Sequence, residues 1–129
     1  MNDLIIDATT SKIFLTLIKN NKNIYTSKYE NSKNNFDKLV ILIQDLLDKS
    51  KMLTKNLNRI YVNRGPGSFA GIRNSLSIVK AINLSNNIDY FCFSFDDFEY
   101  ENEVKYEDIP NLCQKYKIKK NLINPIYLS

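Results

Sequence analysis

The chain has 129 residues, a length that suits one domain. Its 43% hydrophobic and 12% aromatic content belongs to a folded chain and excludes a disordered one. The formal charge of +4 is spread through a sequence crowded with Lys and Asn, with no dense basic block. That argues against affinity-determining nucleic-acid binding and leaves only a weak attraction for phosphates.

The first strand is expected over Leu4–Asp7, a short apolar run ending in an acid. Ile13–Ile18 is a second β-like run, and Asn20, Asn21 and Asn23 supply turn residues after it. Ile24–Tyr29 alternates apolar and polar, as a half-exposed strand does. Three strands joined by tight turns predict an antiparallel meander. From Asn34 to Ser50 the period changes, with Phe36, Leu39, Val40, Ile43 and Leu47 at helical spacing. Leu42 and Leu46 widen that stripe beyond one core face, and Asn34 or Asn35 is suited to cap the helix.

Arg59–Val62 reads as a short strand that runs into Asn63-Arg64-Gly65-Pro66-Gly67-Ser68. A second helix is expected over Phe69–Asn86 and a further strand over Tyr90–Phe93. The acidic stretch Asp96–Asp108 reads as a solvated loop. Pro110–Tyr116 suits a short helix with Pro in its first turn. Ile123–Leu128 is expected to pack back on the domain, with Pro125 at an edge or terminal position. The order β-β-β-α-β-loop-α-β predicts an α/β fold with a mixed sheet. No apolar run approaches the ~20 residues a membrane span needs. The opening residues lack a basic start and a long apolar stretch, so no signal peptide is expected. Cys92 and Cys113 fit no metal-ligand spacing and read as reduced core thiols. A cytoplasmic location follows from these expectations.

One segment stands apart. The chain has only three glycines, Gly65, Gly67 and Gly71, and all fall within seven residues. Two of its three arginines, Arg64 and Arg73, lie there too. Gly-Pro-Gly after a strand frees the backbone for conformations closed to other residues. Ser68 is placed to cap the helix that follows. Gly71 permits close approach of another backbone or a ligand, and the helix N-terminus offers free N–H groups. The spacing is neither the dinucleotide fingerprint nor a P-loop. A purely structural strand-to-helix turn is the alternative.

The run Asn63–Arg73, NRGPGSFAGIR, resembles the G-R-G-P-G-S-F-T-G-[IV]-R signature of the TsaB (YeaZ) family. Ala70 stands at the usual Thr and Asn63 at a usual small residue. Leu4-Ile-Ile-Asp7-Ala-Thr9-Thr10 resembles the family's opening, and Asn124-Pro-Ile-Tyr-Leu128 its close. The fold this resemblance implies is a single lobe of the actin-like ATPase (ASKHA/RNase H-like) type. Residues 1–95 would be that lobe. Residues 96–129, an acidic loop and tail, would be a remnant of a largely missing second lobe. The function it implies is that of a non-catalytic scaffold subunit for putting threonylcarbamoyl on adenosine of tRNA. Its partners would be a TsaD-like transferase and a TsaE-like ATPase, or a second copy in a homodimer, with tRNA met only indirectly.

The residues themselves argue against catalysis. The chain has no histidine, which removes the commonest general base and metal ligand. Ser68 has no base partner. Asp96 and Asp97 read as a polar strand terminus rather than a metal site. By resemblance, Asp7, Thr9 and Thr10 sit at a phosphate loop, and Gly65, Pro66, Gly67, Ser68, Phe69, Gly71 and Arg73 form a partner or vestigial phosphate-binding loop. A nucleotide cleft needs both lobes, so no cofactor and no metal is expected. Asp7 is read instead as a strand-end acid bonded to nearby backbone. The rival readings are a small ATP-binding enzyme using Asp7 and the glycine loop, or a partly decayed remnant. The two helices are expected side by side on one sheet face, exposing Leu42, Leu46, Ile78 and Ile82 to a partner.

Overall fold

The computed structural model describes residues 1–127, apart from the side chains of Lys33 and Phe36. Phe36 in the helical stripe and Leu128 in the tail therefore lie outside the described residues. Five strands form one sheet: β1 (Asp3–Asp7), β2 (Lys12–Lys19), β3 (Asn23–Glu30), β4 (Arg59–Asn63) and β5 (Asp89–Phe93). The order across the sheet is β3-β2-β1-β4-β5. β1, β2 and β3 pair antiparallel, as the tight Asn-rich turn requires. β4 and β5 join parallel to β1 and to each other, which needs helical crossovers between them. The mixed sheet and the element order are those expected from the sequence.

The helices are α1 (Lys33–Asp37), α2 (Leu39–Lys49), α3 (Phe69–Asn86) and α4 (Ile109–Lys115). The stretch expected as one helix from Asn34 is broken at Lys38, where φ is −103° and ψ 7°. Neither Asn34 nor Asn35 caps it. Ser32 Oγ accepts from the Asn35 amide at 3.3 Å. α3 runs as expected, capped by Ser68 Oγ on the Gly71 amide and closed by Asn87 in the left-handed region.

β1 is buried on both faces, so its residues divide by the strand period. Leu4 and Ile6 join α2 and α3 in the larger core, with Leu39, Ile43, Leu47, Ile72 and Val79. Ile5 faces the other way, into a second core with Tyr61, Phe93, Phe98, Ile109 and Leu112. The acidic segment is thus not a solvated loop. It forms 3-10 turns at Phe95–Phe98 and Tyr106–Asp108 that cover the second face. Phe98 packs between Phe93 and Tyr116, at ring separations of 6.1 and 5.4 Å. Asp96, Glu99, Glu103 and Glu107 are exposed, Asp97, Glu101 and Asp108 bond to neighbouring groups, and the aromatics close a face that a centrally placed strand cannot leave wet. Among the described residues no helix is long and apolar enough to cross a membrane.

α2 and α3 do lie on one face of the sheet, but Leu42 and Leu46 do not look outward. They are 8% and 1% exposed and belong to the core. α2 is apolar at nearly every position of its first turns, so its period alone does not choose a face. The five-stranded sheet takes the widest stripe, Leu39, Leu42, Ile43, Leu46 and Leu47, and leaves Val40 and Ile41 in solvent. Replacing Leu46 by Ala should therefore cost ~2–5 kcal/mol in urea unfolding, as buried leucines do. Val40→Ala should change stability by less than ~0.5 kcal/mol, as expected of an exposed site. Equal effects at the two positions would contradict this packing.

Candidate functional site

The turn after β4 is built by contacts that only small residues allow. Gly65 has φ +113°, in the left-handed region that favours glycine. The Gly65–Pro66 peptide is cis. Gly67 has no such conformation. Its requirement is space, because a Cβ there would sit 2.8 Å from the Thr9 Cβ and closer still to the Thr9 carbonyl. At Gly71 the obstacle is the Ala8 backbone, with the Ala8 carbonyl carbon 3.0 Å from an added Cβ. The Ser68 amide donates to the Thr9 carbonyl at 2.8 Å. Thus the segment after β1 lies directly on the turn and on the start of α3. Asn31 Nδ2 holds that segment from its other side, donating to the Ala8 and Thr10 carbonyls.

Asp7 ends β1 beside this junction and is 2% exposed. One carboxylate oxygen accepts from the Thr9 amide at 3.0 Å and from Thr9 Oγ1 at 2.7 Å. The other accepts from Asn63 Nδ2 at 3.1 Å and from the Tyr106 hydroxyl at 2.6 Å. Asn63 Oδ1 in turn accepts from the Gly65 amide at 2.9 Å. Burial, and then the adjacent Asp7 charge, push the Tyr106 phenol far above its ordinary value, so it stays a donor. All four bonds to Asp7 come from the protein, and Tyr106 closes the side toward the second face. Thr10 is exposed, and its hydroxyl makes only two long 3.5 Å contacts, both with the Lys12 backbone.

Arg64 gathers the tail. Nη1 donates to the Asn124 carbonyl at 3.1 Å and Nη2 to Asp97 at 2.8 Å. The Arg64 carbonyl accepts from the Ile126 amide at 2.7 Å. The tail is therefore fixed to the turn, as its pattern suggested. Asp97 is an ion-pair partner, with Oδ2 accepting from the Ser94 amide at 2.8 Å. Cys92 and Cys113 are buried thiols, each pushed up to about 12 by burial, and neither is a nucleophile at neutral pH.

The expected loop residues do not converge on one pocket. Asp7, Thr9, Gly67, Ser68 and Gly71 meet at the junction. Phe69 and Arg73 point away from it and are exposed. Elsewhere an apolar groove of about 360 Å³ opens between α2 and α3. Val40, Ile43, Ile78, Ala81 and Ile82 line it, with Gln44 and Ser85 at the margin. Ile78 and Ile82 are half-buried, packed against the core with an edge on this groove, and from α2 it is Val40 and Ile43, not Leu42 or Leu46, that line it.

Residues 21–94, more than half of the chain, match the family model "TsaD: tRNA N6-adenosine threonylcarbamoyltransferase". A "tRNA threonylcarbamoyladenosine biosynthesis protein TsaB" from Buchnera aphidicola subsp. Schizaphis graminum is 33% identical over 73% of this chain and 45% of its own length. The protein of the same name from subsp. Baizongia pistaciae is 29% identical over 67% of the chain and 39% of its own length. The chain belongs to the TsaB (YeaZ) family. YeaZ from Pseudomonas aeruginosa superposes with a TM-score of 0.67 at 20% identity, over 72% of this chain and 43% of that one. That likeness shows the shared fold, and together with the family match the mixed five-stranded sheet fits a single lobe of the actin-like type. The chain spans about half the length, or less, of the TsaB relatives it matches.

Within the TsaB-like signature both departures are accommodated. Ala70 is an exposed position on the first turn of α3, where the usual Thr has no buried partner to lose. Asn63, at a usual small residue, is 3% exposed and bridges Asp7 to the turn. Tyr106 was not foreseen at all. It lies 99 residues from Asp7 in an acidic stretch, and no local pattern announces the contact. Gly67→Val should cost at least ~2 kcal/mol in chemical denaturation, through overpacking against Thr9 rather than through backbone strain. A cost below ~0.5 kcal/mol would mean that the Thr9 backbone yields freely. Tyr106→Phe should cost ~1.5–3 kcal/mol, the range for a hydrogen bond to a charged group. A neutral result by the same measurement would show that the hydroxyl does not matter to Asp7.

Proposed function

We propose that this chain is a non-catalytic scaffold subunit in the formation of threonylcarbamoyladenosine in tRNA. Its partner is a TsaD-like transferase, and a TsaE-like ATPase joins the complex. The observation that carries the reading is the groove between α2 and α3. It is apolar at its centre and polar at its margin, it is open, and it lies on two rigid helices. Those are the attributes of a docking surface whose affinity rests on a few apolar anchors. A TsaB relative's name places that relative in this pathway, and the family model that matches carries the transferase's name. Pairing two related lobes through equivalent helices is a natural use of such a groove, and a homodimer would use the same surface.

Asp7 supports the non-catalytic side of the reading. An acid that holds a metal, activates water or contacts a phosphate must present an oxygen to it. Here both oxygens accept two protein donors each, and Tyr106 fills the approach from the second face. The chain has no histidine to take over proton transfer. The ATP-binding alternative would require Tyr106 to leave and Asp7 to exchange partners. The domain reading belongs here too: residues 96–129 would be what remains of a second lobe, its described part used in this chain as the cover of the sheet's second face. Cytoplasmic residence accompanies a role in tRNA modification.

Val40→Glu combined with Ala81→Glu puts charge on both sides of the groove at exposed positions. Co-expressed with the transferase from the same cell, this variant should lose co-purification, with affinity falling at least ~100-fold. Its circular dichroism and melting temperature should stay near those of the parent. Retained co-purification and normal levels of modified tRNA would remove the groove from the interface.

A further inference from the structure

A second surface lies on the opposite side of α3 from the groove. Phe69 and Tyr127 meet there, ring centres 4.7 Å apart at an interplanar angle of 52°. The pair bridges the first turn of α3 and the tail, yet the two residues remain 53% and 41% exposed. A contact formed only to secure the tail would bury its rings; the tail is already held by Arg64 and by the Ile126 amide. Arg73 follows Phe69 by one turn on the same helix face, and Lys80 follows Arg73 by two. By helical rise the two cations stand about 10 Å apart. Both are exposed, and neither makes an ion pair among the described residues. With Ser77, Ile123 and Tyr127 they border an open groove of about 220 Å³. Asp97 and Asp89 are already matched, by Arg64 and Lys120.

Accessible aromatic faces next to unneutralised cations in a line suit one chemistry well. Unpaired bases stack on the rings while the backbone phosphates track the cations. We propose that this face of α3 and the tail, centred on Phe69, Arg73, Lys80 and Tyr127, binds single-stranded RNA. The partner class rests on the placement of the chain in tRNA modification, and the surface is distinct from the α2–α3 groove. It goes beyond the expectation that RNA is met only indirectly. The low net charge is no obstacle, because the cations that matter are local and carry no ion pair among the described residues.

The test measures fluorescence anisotropy of labelled RNA with the full chain across a salt series. The probes are a single-stranded RNA oligonucleotide, a perfect duplex of the same sequence and an unmodified tRNA transcript. The single strand and the tRNA should bind more tightly than the duplex, whose bases are not free to stack. Arg73→Gln with Lys80→Gln should weaken single-strand binding at least tenfold. It should also lower the slope of log affinity against log salt by about 1.4, for two lost phosphate contacts. Tyr127→Leu should weaken binding about tenfold with the salt slope unchanged, since it removes stacking and no charge. The proposal is overturned if the duplex binds as well as the single strand, if neither variant changes affinity, or if no probe binds at low salt. It is also overturned if the double variant keeps its RNA affinity but loses the transferase on co-purification, which would make the surface a protein interface. Failure of the groove reading shows instead in the Val40/Ala81 variant, whose RNA affinity should match the parent's.

Discussion

The structure depends on the close approach of two backbones. The Ala8–Thr9 segment, leaving β1, runs against Gly67 and Gly71, and no side chain fits between. This contact joins the antiparallel half of the sheet to the β4–α3 crossover. It sets where α3 starts, because Ser68 both bonds Thr9 through its amide and caps the helix through its hydroxyl. It also sets where Asp7 lies, because Asn63 bridges the turn to that carboxylate. The clustering of the chain's glycines is thus explained by geometry, with no ligand required.

That economy bears on function. The same turn, carboxylate and helix N-terminus could serve a phosphate if they were open. Here they are consumed internally. A buried carboxylate must be satisfied, and once the protein supplies all its donors a ligand has to displace one of them. The segment from Phe95 to Tyr116 completes this state by covering the second face and delivering Tyr106. The two surfaces proposed for partners therefore lie away from this junction, on α2 and α3 and at the tail. α3 serves three neighbours: the sheet through Ile72 and Val79, the groove through Ile78 and Ile82, and the tail side through Arg73 and Lys80.

The strands and α3 were legible because each carries its period plainly. β1 and β2 are apolar runs, β3 alternates, and Asn residues mark the turn between β2 and β3; α3 has an N-cap Ser and apolar residues at helical spacing. The glycine turn was legible because glycine is so scarce elsewhere that its position had to mean something. α2 was legible as a helix but not in its orientation. Leu39-Val-Ile-Leu-Ile is apolar on every side, so Leu42 and Leu46 were as eligible for the surface as Val40. The acidic segment was misread because its glutamates and aspartates outnumber the few aromatics that fix it.

Sequence alone therefore determined the order of elements, the mixed sheet and the place of the strand-turn-helix junction. Those follow from local period and from backbone freedom, which are properties of neighbouring residues. Tertiary structure decided which stripe of α2 is buried, what covers the second face of the sheet and whether Asp7 is open or closed. Each of those depends on a residue far away in the chain: the width of the sheet for α2, Phe98 for the second face and Tyr106 for Asp7. Burial and hydrogen-bond satisfaction are settled by whatever the fold brings within a few ångströms, and no local pattern encodes that.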